Sequence, residues 1–213
     1  MAGHKKISAF SIVKNNTVSK NGDLLFGCEQ EKDAADFFLA AYSYFAINYP
    51  KFYKMDNLSK LGILATEILL KDSFQTEGKD PYNTGIVLSN SNSSLDTDKR
   101  YYDTVANIAS PALFVYTLPN VVIGEICIKF AFKGENAFFI FDSFDADFTT
   151  RYVNNLFETT GIETCICGWL DILENDYKAV LFLVEKQAGD KAHAFTEDNL
   201  NNIYQTNTWK KQH

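Results

Sequence analysis

The most apolar stretch of the chain is Ala137-Phe-Phe-Ile-Phe141, and Asp142-Ser-Phe-Asp145 follows it directly. Five consecutive apolar residues predict a buried strand, which we expect at the centre of a sheet. Apolar residues at helical spacing come next, from Phe148 to Leu156, and Gly161 marks the end of the helix. A strand that leads into a helix is the repeating unit of an α/β domain.

The same alternation extends on both sides of this stretch. Strand patterns occur at residues 6–13 and 85–88, and helical patterns occur at 33–48 and 121–132. Two late strands, at 163–170 and 178–185, are separated by a short turn and should be antiparallel. The sequence therefore predicts a single α/β domain, with a mixed five-stranded sheet and helices on both faces. We place this domain at residues 1–190 and a polar tail at 191–213, with a short helix near 196–204.

Composition excludes several classes of protein. The chain has 213 residues and 24.1 kDa, is 46% hydrophobic and carries a net charge of −7. This acidic balance argues against a nucleic-acid binder, which concentrates Lys and Arg on one face. No run reaches the roughly 18 apolar residues of a membrane span, and the amino terminus lacks the apolar core of a signal peptide. We expect a cytoplasmic protein that has no contact with membranes or nucleic acid.

The residues that usually hold metals are few and badly spaced for that purpose. The four cysteines include no C-x-x-C pair, and Cys165 and Cys167 should be buried on one face of a strand. Of the three histidines, His4 and His213 lie near the chain ends and His193 lies in a polar segment. We therefore expect no metal, no cofactor and an exposed surface role for His193.

Three stretches, in this order, carry a resemblance to a known family. They are Met55-Asp-Asn-Leu-Ser at the start of a helix, the strand Gly85-Ile-Val-Leu-Ser-Asn90, and Ser110-Pro-Ala-Leu-Phe-Val-Tyr-Thr-Leu-Pro-Asn-Val-Val-Ile-Gly with its continuation to Gly134-Glu-Asn136. Together they resemble the amino-terminal half of the β-ketoacyl-acyl-carrier-protein synthases, in the thiolase-like superfamily. Residues 167–174 and 179–185 stand where that family has the last two strands of the half, so the resemblance covers about residues 55 to 186.

The resemblance implies where a nucleophile would be. In these synthases a cysteine at a helix amino terminus takes the acyl group, and its position falls on Ser143 of this chain. The family's two catalytic histidines and its glycine-rich oxyanion segment belong to the carboxy-terminal half, which we expect to be absent here. Asp142 and Asp145 flank Ser143, and capping of the next helix is the expected role of both carboxylates.

Three functions follow as hypotheses. The preferred one is a non-catalytic auxiliary subunit of a bacterial type II fatty-acid or polyketide-type pathway. The resemblance implies a dimer that forms through Ala137, Phe138, Phe139, Ile140 and Phe141, either with a second copy or with a full-length ketosynthase. The second hypothesis is an acyltransferase, of the 3-oxoacyl-carrier-protein synthase type, or a thioesterase that uses Ser143. The third is a module that binds an acyl group or an acyl carrier protein, with Lys129, Lys133 and Arg151 as a basic docking patch.

Overall fold

The computed structural model describes residues 5–28, 30, 32–76, 78–187, 189 and 192–206. Eight strands occur among these residues and join in a single sheet. They are β1 (Lys6–Lys14), β2 (Thr17–Lys20), β3 (Asp23–Gly27), β4 (Thr84–Asn90), β5 (Asn136–Ile140), β6 (Thr164–Leu173), β7 (Asp176–Glu185) and β8 (His193–Ala194). His4 and the end of the expected tail, residues 207–213 with His213, lie outside the described residues.

The sheet order is β3-β2-β1-β7-β6-β4-β5, and β8 pairs with β1. β4 runs parallel to β5 and β6, whereas β6, β7, β1, β2 and β3 are successively antiparallel. The predicted mixed sheet is confirmed, but it has eight strands instead of five. The additional strands arise because Asn21 and Gly22, both at positive φ, turn the chain back into a β2–β3 hairpin, and because β8 returns to β1.

Seven α-helices occur in the described part of the chain. They are α1 (Ala34–Tyr44), α2 (Asn57–Leu70), α3 (Leu95–Val105), α4 (Pro111–Val115), α5 (Val121–Phe130), α6 (Ala146–Thr159) and α7 (Glu197–Gln205). None of these helices has the length and apolar character needed to cross a membrane. Helices α1, α2 and α5 cover one face of the sheet, and α6 and α7 cover the other, so the predicted two-sided arrangement is confirmed.

The first face is built around α2. Asp56 caps this helix by accepting a hydrogen bond from the Ser59 amide (3.0 Å), and most of its side chains are buried. Gly62 lets α5 approach closely, since a Cβ at this position would lie 2.4 Å from Cγ2 of Val122. Cys165 and Cys167 point to the opposite face, where both are fully buried free thiols, as the C-x-C spacing predicted.

The position of β5 corrects one prediction. Ala137–Phe141 was expected to form a central strand, but β5 is the last strand of the sheet and pairs only with β4. β4, the neighbour of β5, lies inside the sheet, and all seven of its residues are buried. β5 is apolar for another reason: Phe138 packs against one core and Phe139 against the other, while both remain half-buried at the sheet edge.

The expected polar tail contains elements that pack on the sheet. β8 pairs with Lys6 and Ile7, and α7 buries Leu200 completely against the second face. The short helix predicted near 196–204 is confirmed as α7. The boundary between a domain at 1–190 and a tail at 191–213 stays a prediction, although residues 192–206 contribute to the second core.

Two lysines attach the end of α7 to the sheet. Lys14 and Lys178 face each other across β1 and β7, and each Nζ donates to a carbonyl at the helix end, of Thr206 and Tyr204 respectively, at 3.0 Å. Lys178 Nζ also lies 3.4 Å from the centroid of the Tyr204 ring. Burial, and next the charge of Lys14, lower the pKa of Lys178 from its usual 10.5 to about 8.

This depressed pKa predicts a pH dependence of stability. Between about pH 8 and pH 10.5 the unfolded chain holds a proton on Lys178 that the folded protein has released, so stability rises with pH in this window. Below pH 8 both states are protonated and the contribution is constant. We expect the melting temperature of the wild type to rise from pH 8 to pH 10 relative to that of Lys178→Met, measured by circular dichroism. Parallel curves for the two proteins, with Lys133→Met as a surface control, would contradict this assignment.

Candidate functional site

Ser143 lies in the loop between β5 and α6 and is exposed to solvent. It stands two residues before the helix cap, which is Asp145, and α6 begins at Ala146. Asp145 Oδ1 accepts a hydrogen bond from the Phe148 amide at 2.8 Å. The capping role predicted for Asp145 is therefore confirmed, while Asp142 lies exposed in the loop. The group that caps the first turn of α6 is therefore the Asp145 carboxylate and not the Ser143 hydroxyl.

An open cleft of about 410 Å³ lies beside Ser143. Its walls come from the loop, the first turn of α6 and one side of α7: Phe141, Asp142, Phe144, Asp145, Ala146, Asp147, Glu197 and Asn201. Four of these residues are carboxylates, and only Asp147 has a cationic partner within the described residues, Arg151 Nη2 at 2.8 Å. The part of the chain that is described contains no cluster of His, Cys, Asp and Glu suited to a metal ion. The cleft is thus an acidic surface depression.

No imidazole among the described residues lies near Ser143. His193 is exposed on β8 and is in register with Ile7, Val184, Cys165 and Gly85 along successive strands. Ser143 follows the opposite, carboxyl end of β5. Four strands separate β8 from β5, which corresponds to about 24 Å across the sheet at the usual strand spacing. His193 therefore cannot act as the base for this hydroxyl, and its expected surface position is confirmed.

The loop that bears Ser143 is held by packing on both sides of the serine. The Phe141 amide donates to the Asn90 carbonyl (2.9 Å), which continues the pairing with β4 beyond the strand. Phe144 is buried, with its ring stacked on Tyr204 of α7 at 4.7 Å and on Phe182 of β7 at 6.2 Å. Phe144 thus anchors the loop between the sheet and α7.

A polar network at the same end of the sheet was not found by sequence reasoning. Asp171 of β6 accepts four hydrogen bonds from the loop after β4: from the amide and hydroxyl of Ser91, at 3.3 and 2.9 Å, and from the amide and Nδ2 of Asn92, at 3.1 and 2.8 Å. No short sequence motif predicts these hydrogen bonds, because about 80 residues separate Asp171 from Ser91 and Asn92. The network orders the loop at 90–94, so this polar loop has a structural role.

The candidate interface residues lie together on the open edge. Ala137, Phe138 and Phe139 are half-buried, and Ile140 is 47% exposed. Glu135 O accepts from Ile86 N and Phe141 N donates to Asn90 O, each at 2.9 Å, so the odd-numbered residues bond to β4. Because alternate residues of a strand turn their backbone groups to opposite sides, the N–H and C=O groups of Asn136, Phe138 and Ile140 point to the open side.

The expected basic patch is not assembled as a free surface. Lys129 forms an ion pair with Glu67 and lies 4.7 Å from the Tyr49 ring centroid, with a side chain only 10% exposed. Arg151 is paired with Asp147 on its own helix. Two of the three cations, Lys129 and Arg151, are therefore paired within the chain. Carboxylates of the Ser143 cleft also lie on α6, the helix that carries Arg151, and on the loop before it.

Known proteins match this chain in structure. No protein-family model matches the sequence, and no curated protein matches it. The ishigamide ketosynthase/chain length factor has a TM-score of 0.60 and 17% identity, over 86% of this chain and 62% of that chain. A type II polyketide synthase acyl-carrier protein in complex with its ketosynthase gives a TM-score of 0.58 and 13% identity, over 87% of this chain and 64% of that one.

The chain has the ketosynthase fold. A further match is a ketosynthase in complex with its chain length factor from Xenorhabdus doucetiae, with a TM-score of 0.57 and 12% identity, over 94% of this chain and 90% of that chain. The thiolase-like half-domain predicted from the motifs is confirmed. The chain spans less than two thirds of the first two matched chains, whereas the third is close to its own length. Identities this low establish the fold alone.

The assignment of Asp145 as a helix cap predicts different effects for two neighbouring carboxylates. Asp145→Ala removes the acceptor for the Phe148 amide and should lower the free energy of unfolding by about 1 kcal/mol. Asp142→Ala, in the same loop, should change it by less than about 0.5 kcal/mol. Urea unfolding monitored by tryptophan fluorescence measures both variants. An equal loss for the two would show that Asp145 does not act as the cap.

Proposed function

We propose that this chain is a non-catalytic partner subunit of a ketosynthase in type II fatty-acid or polyketide-type biosynthesis. The observation that carries the proposal is the environment of Ser143. At the position of the family nucleophile the chain has an exposed hydroxyl in an acidic loop, remote from His193. The fold is kept, and among the described residues no imidazole lies beside this hydroxyl to act as a base for acyl transfer.

The chemistry of serine supports this view. A hydroxyl attacks a thioester only when a neighbouring base takes its proton, and an imidazole normally does so. The groups around Ser143 are carboxylates, and Asp145 already accepts a helix amide. Their negative charges oppose the oxyanion that acyl transfer would form, because such an intermediate needs positive dipoles directed at it. They also oppose the approach of an acidic carrier protein.

The open edge of β5 supports a role as a partner. An apolar edge strand with unpaired backbone groups is a template for another strand, which would continue the sheet into a second subunit. The matched chain from Xenorhabdus doucetiae is nearly as long as this one and belongs to a complex of a ketosynthase with its chain length factor. By analogy, we favour a heterodimer with a full-length ketosynthase, and a second copy of this chain is the alternative.

Proline at the edge tests the pairing. The Ile140 N–H faces the open side, so Ile140→Pro removes a donor to the partner strand without removing a bond to β4. We expect this variant to weaken association with a ketosynthase from the same organism by at least about tenfold, since one lost backbone bond and altered strand geometry each cost about 1 kcal/mol. Light scattering and titration calorimetry of the co-expressed proteins provide the measurement.

The matched control is Ile140→Thr, which keeps the N–H and a β-branched side chain. This variant should associate nearly as well as the wild type. If the partner is a ketosynthase, this protein alone should be a monomer of 24.1 kDa. A species of twice this mass would favour the homodimer. Unchanged association of a folded Ile140→Pro variant would count against the β5 edge in either form of dimer.

One observation favours the alternative enzyme. The cleft of about 410 Å³ reaches Ser143 and has room for a short acyl group. If the chain were an acyltransferase or thioesterase, incubation with acyl thioesters would leave an adduct on Ser143 that is absent in Ser143→Ala. We expect no adduct at this residue in peptide mass mapping, including at pH 9, where a weak base would be most effective. A stoichiometric adduct on Ser143 would replace the partner proposal with the enzyme.

A further inference from the structure

A second cavity, of about 220 Å³, lies at the opposite end of the sheet from Ser143. It opens beside Thr84, the first residue of β4, whereas Ser143 follows the last residue of the parallel strand β5. Ile140, the last residue of β5, pairs with Asn90, six residues beyond Thr84, so roughly 20 Å of strand separates the two levels of the sheet. Neither the ketosynthase resemblance nor the proposed pairing edge assigns a role to this cavity.

Three aromatic rings form its walls. Phe130 and Phe132 are stacked, with centroids 5.7 Å apart and planes at 17°, and Phe74 meets Phe132 edge-on at 6.1 Å. Ala131, between the stacked rings, has φ 58°, a left-handed conformation that a residue with a Cβ rarely adopts. This turn at the end of α5 lets both flanking rings line the same space. The rings therefore form an apolar, flat side of the cavity, fixed by contact with one another. The rest of the lining is more polar and includes Thr76, Lys79, Asp80 and Thr84, and the Asp80 carboxylate already accepts a hydrogen bond from the Tyr82 amide at 2.9 Å.

A single cation is held at the cavity wall. Lys79 Nζ lies 3.7 Å from the centroid of the Phe74 ring, a short cation–π contact. Its carboxylate neighbour, Glu185, is 3.9 Å away, which is longer than a hydrogen bond. The Lys79 side chain is 46% exposed, and an ammonium has three donors. Lys79 therefore offers a positioned positive charge to an anion in the cavity, because its contact with Glu185 is longer than a hydrogen bond.

We propose that this cavity binds a small apolar carboxylate, with a single aromatic ring or a short alkyl chain between the phenylalanines and its carboxylate on Lys79. The volume fits this class, because an engineered apolar cavity of about 150 Å³ holds benzene. The remaining space accommodates the carboxylate at the lysine. The proposal is independent of the partner role, since it uses no residue of β5 or of the Ser143 loop.

Phenylacetate and its neutral isostere phenylacetamide are the probes. In NMR titrations of the full chain we expect saturable binding of phenylacetate with a dissociation constant of about 1 mM, as befits a ligand of this size. The amide should bind at least about fivefold more weakly, because it loses the charge-assisted contact with Lys79. The shifted resonances should include those of Phe74, Phe130 and Phe132.

Three variants of charged residues separate binding in this cavity from non-specific binding. Lys79→Met should weaken phenylacetate binding at least about fivefold, and Glu185→Gln should tighten it, because the competing carboxylate is removed. Lys133→Met, which changes an exposed lysine near Tyr82, is the matched control and should bind like the wild type. Equal affinity for acid and amide, binding unaffected by Lys79→Met, or the absence of saturation up to about 20 mM would overturn the proposal.

Discussion

Three adjacent interior strands of this sheet, β7, β6 and β4, are apolar on both faces, and the arrangement of the helices follows from that constraint. Every residue of β4 is buried, and β6 and β7 are buried along most of their length. Each square ångström of apolar surface left in water loses about 25 cal/mol of folding free energy, so helices must cover both faces of these strands. Helices α1, α2 and α5 supply one cover from the middle of the chain, and α6 contributes to the other.

The second face explains why the carboxy-terminal segment packs despite its polar composition. Leu200 and Ile203 of α7 are buried there, and the Tyr204 ring stacks on Phe144. Lys14 and Lys178 satisfy the last carbonyls of the helix, so the end of α7 is fixed to the sheet by hydrogen bonds as well as by packing. Since Phe144 is adjacent to Ser143, the loop between β5 and α6 serves as an attachment point for α7.

The sequence predicted the elements better than their places in the sheet. Helical spacing and caps such as Asp56 and Asp145 are local signals, and the structure bears them out. The edge position of β5 has no local signal, because half-burial on two faces produces the same apolar run as full burial in the centre. The contacts of Asp171 with Ser91 and Asn92 join distant parts of the chain, and a spacing rule cannot show them. His193, the histidine among the described residues, lies far from Ser143, in keeping with the surface role that its polar segment predicted.

Two features bear on function: the open edge of β5 and the loop that carries Ser143. An apolar edge strand exposes a monomer to aggregation, and proteins usually protect such an edge with a lysine, a proline or a bulge. β5 has none of these within Asn136–Ile140, and its pairing with β4 is regular. Catalysis at Ser143 would need an activated nucleophile and positive dipoles, and the loop supplies carboxylates instead. A partner subunit of the kind proposed needs the edge and not the nucleophile, and an open apolar edge together with an acidic loop at Ser143 fits that requirement.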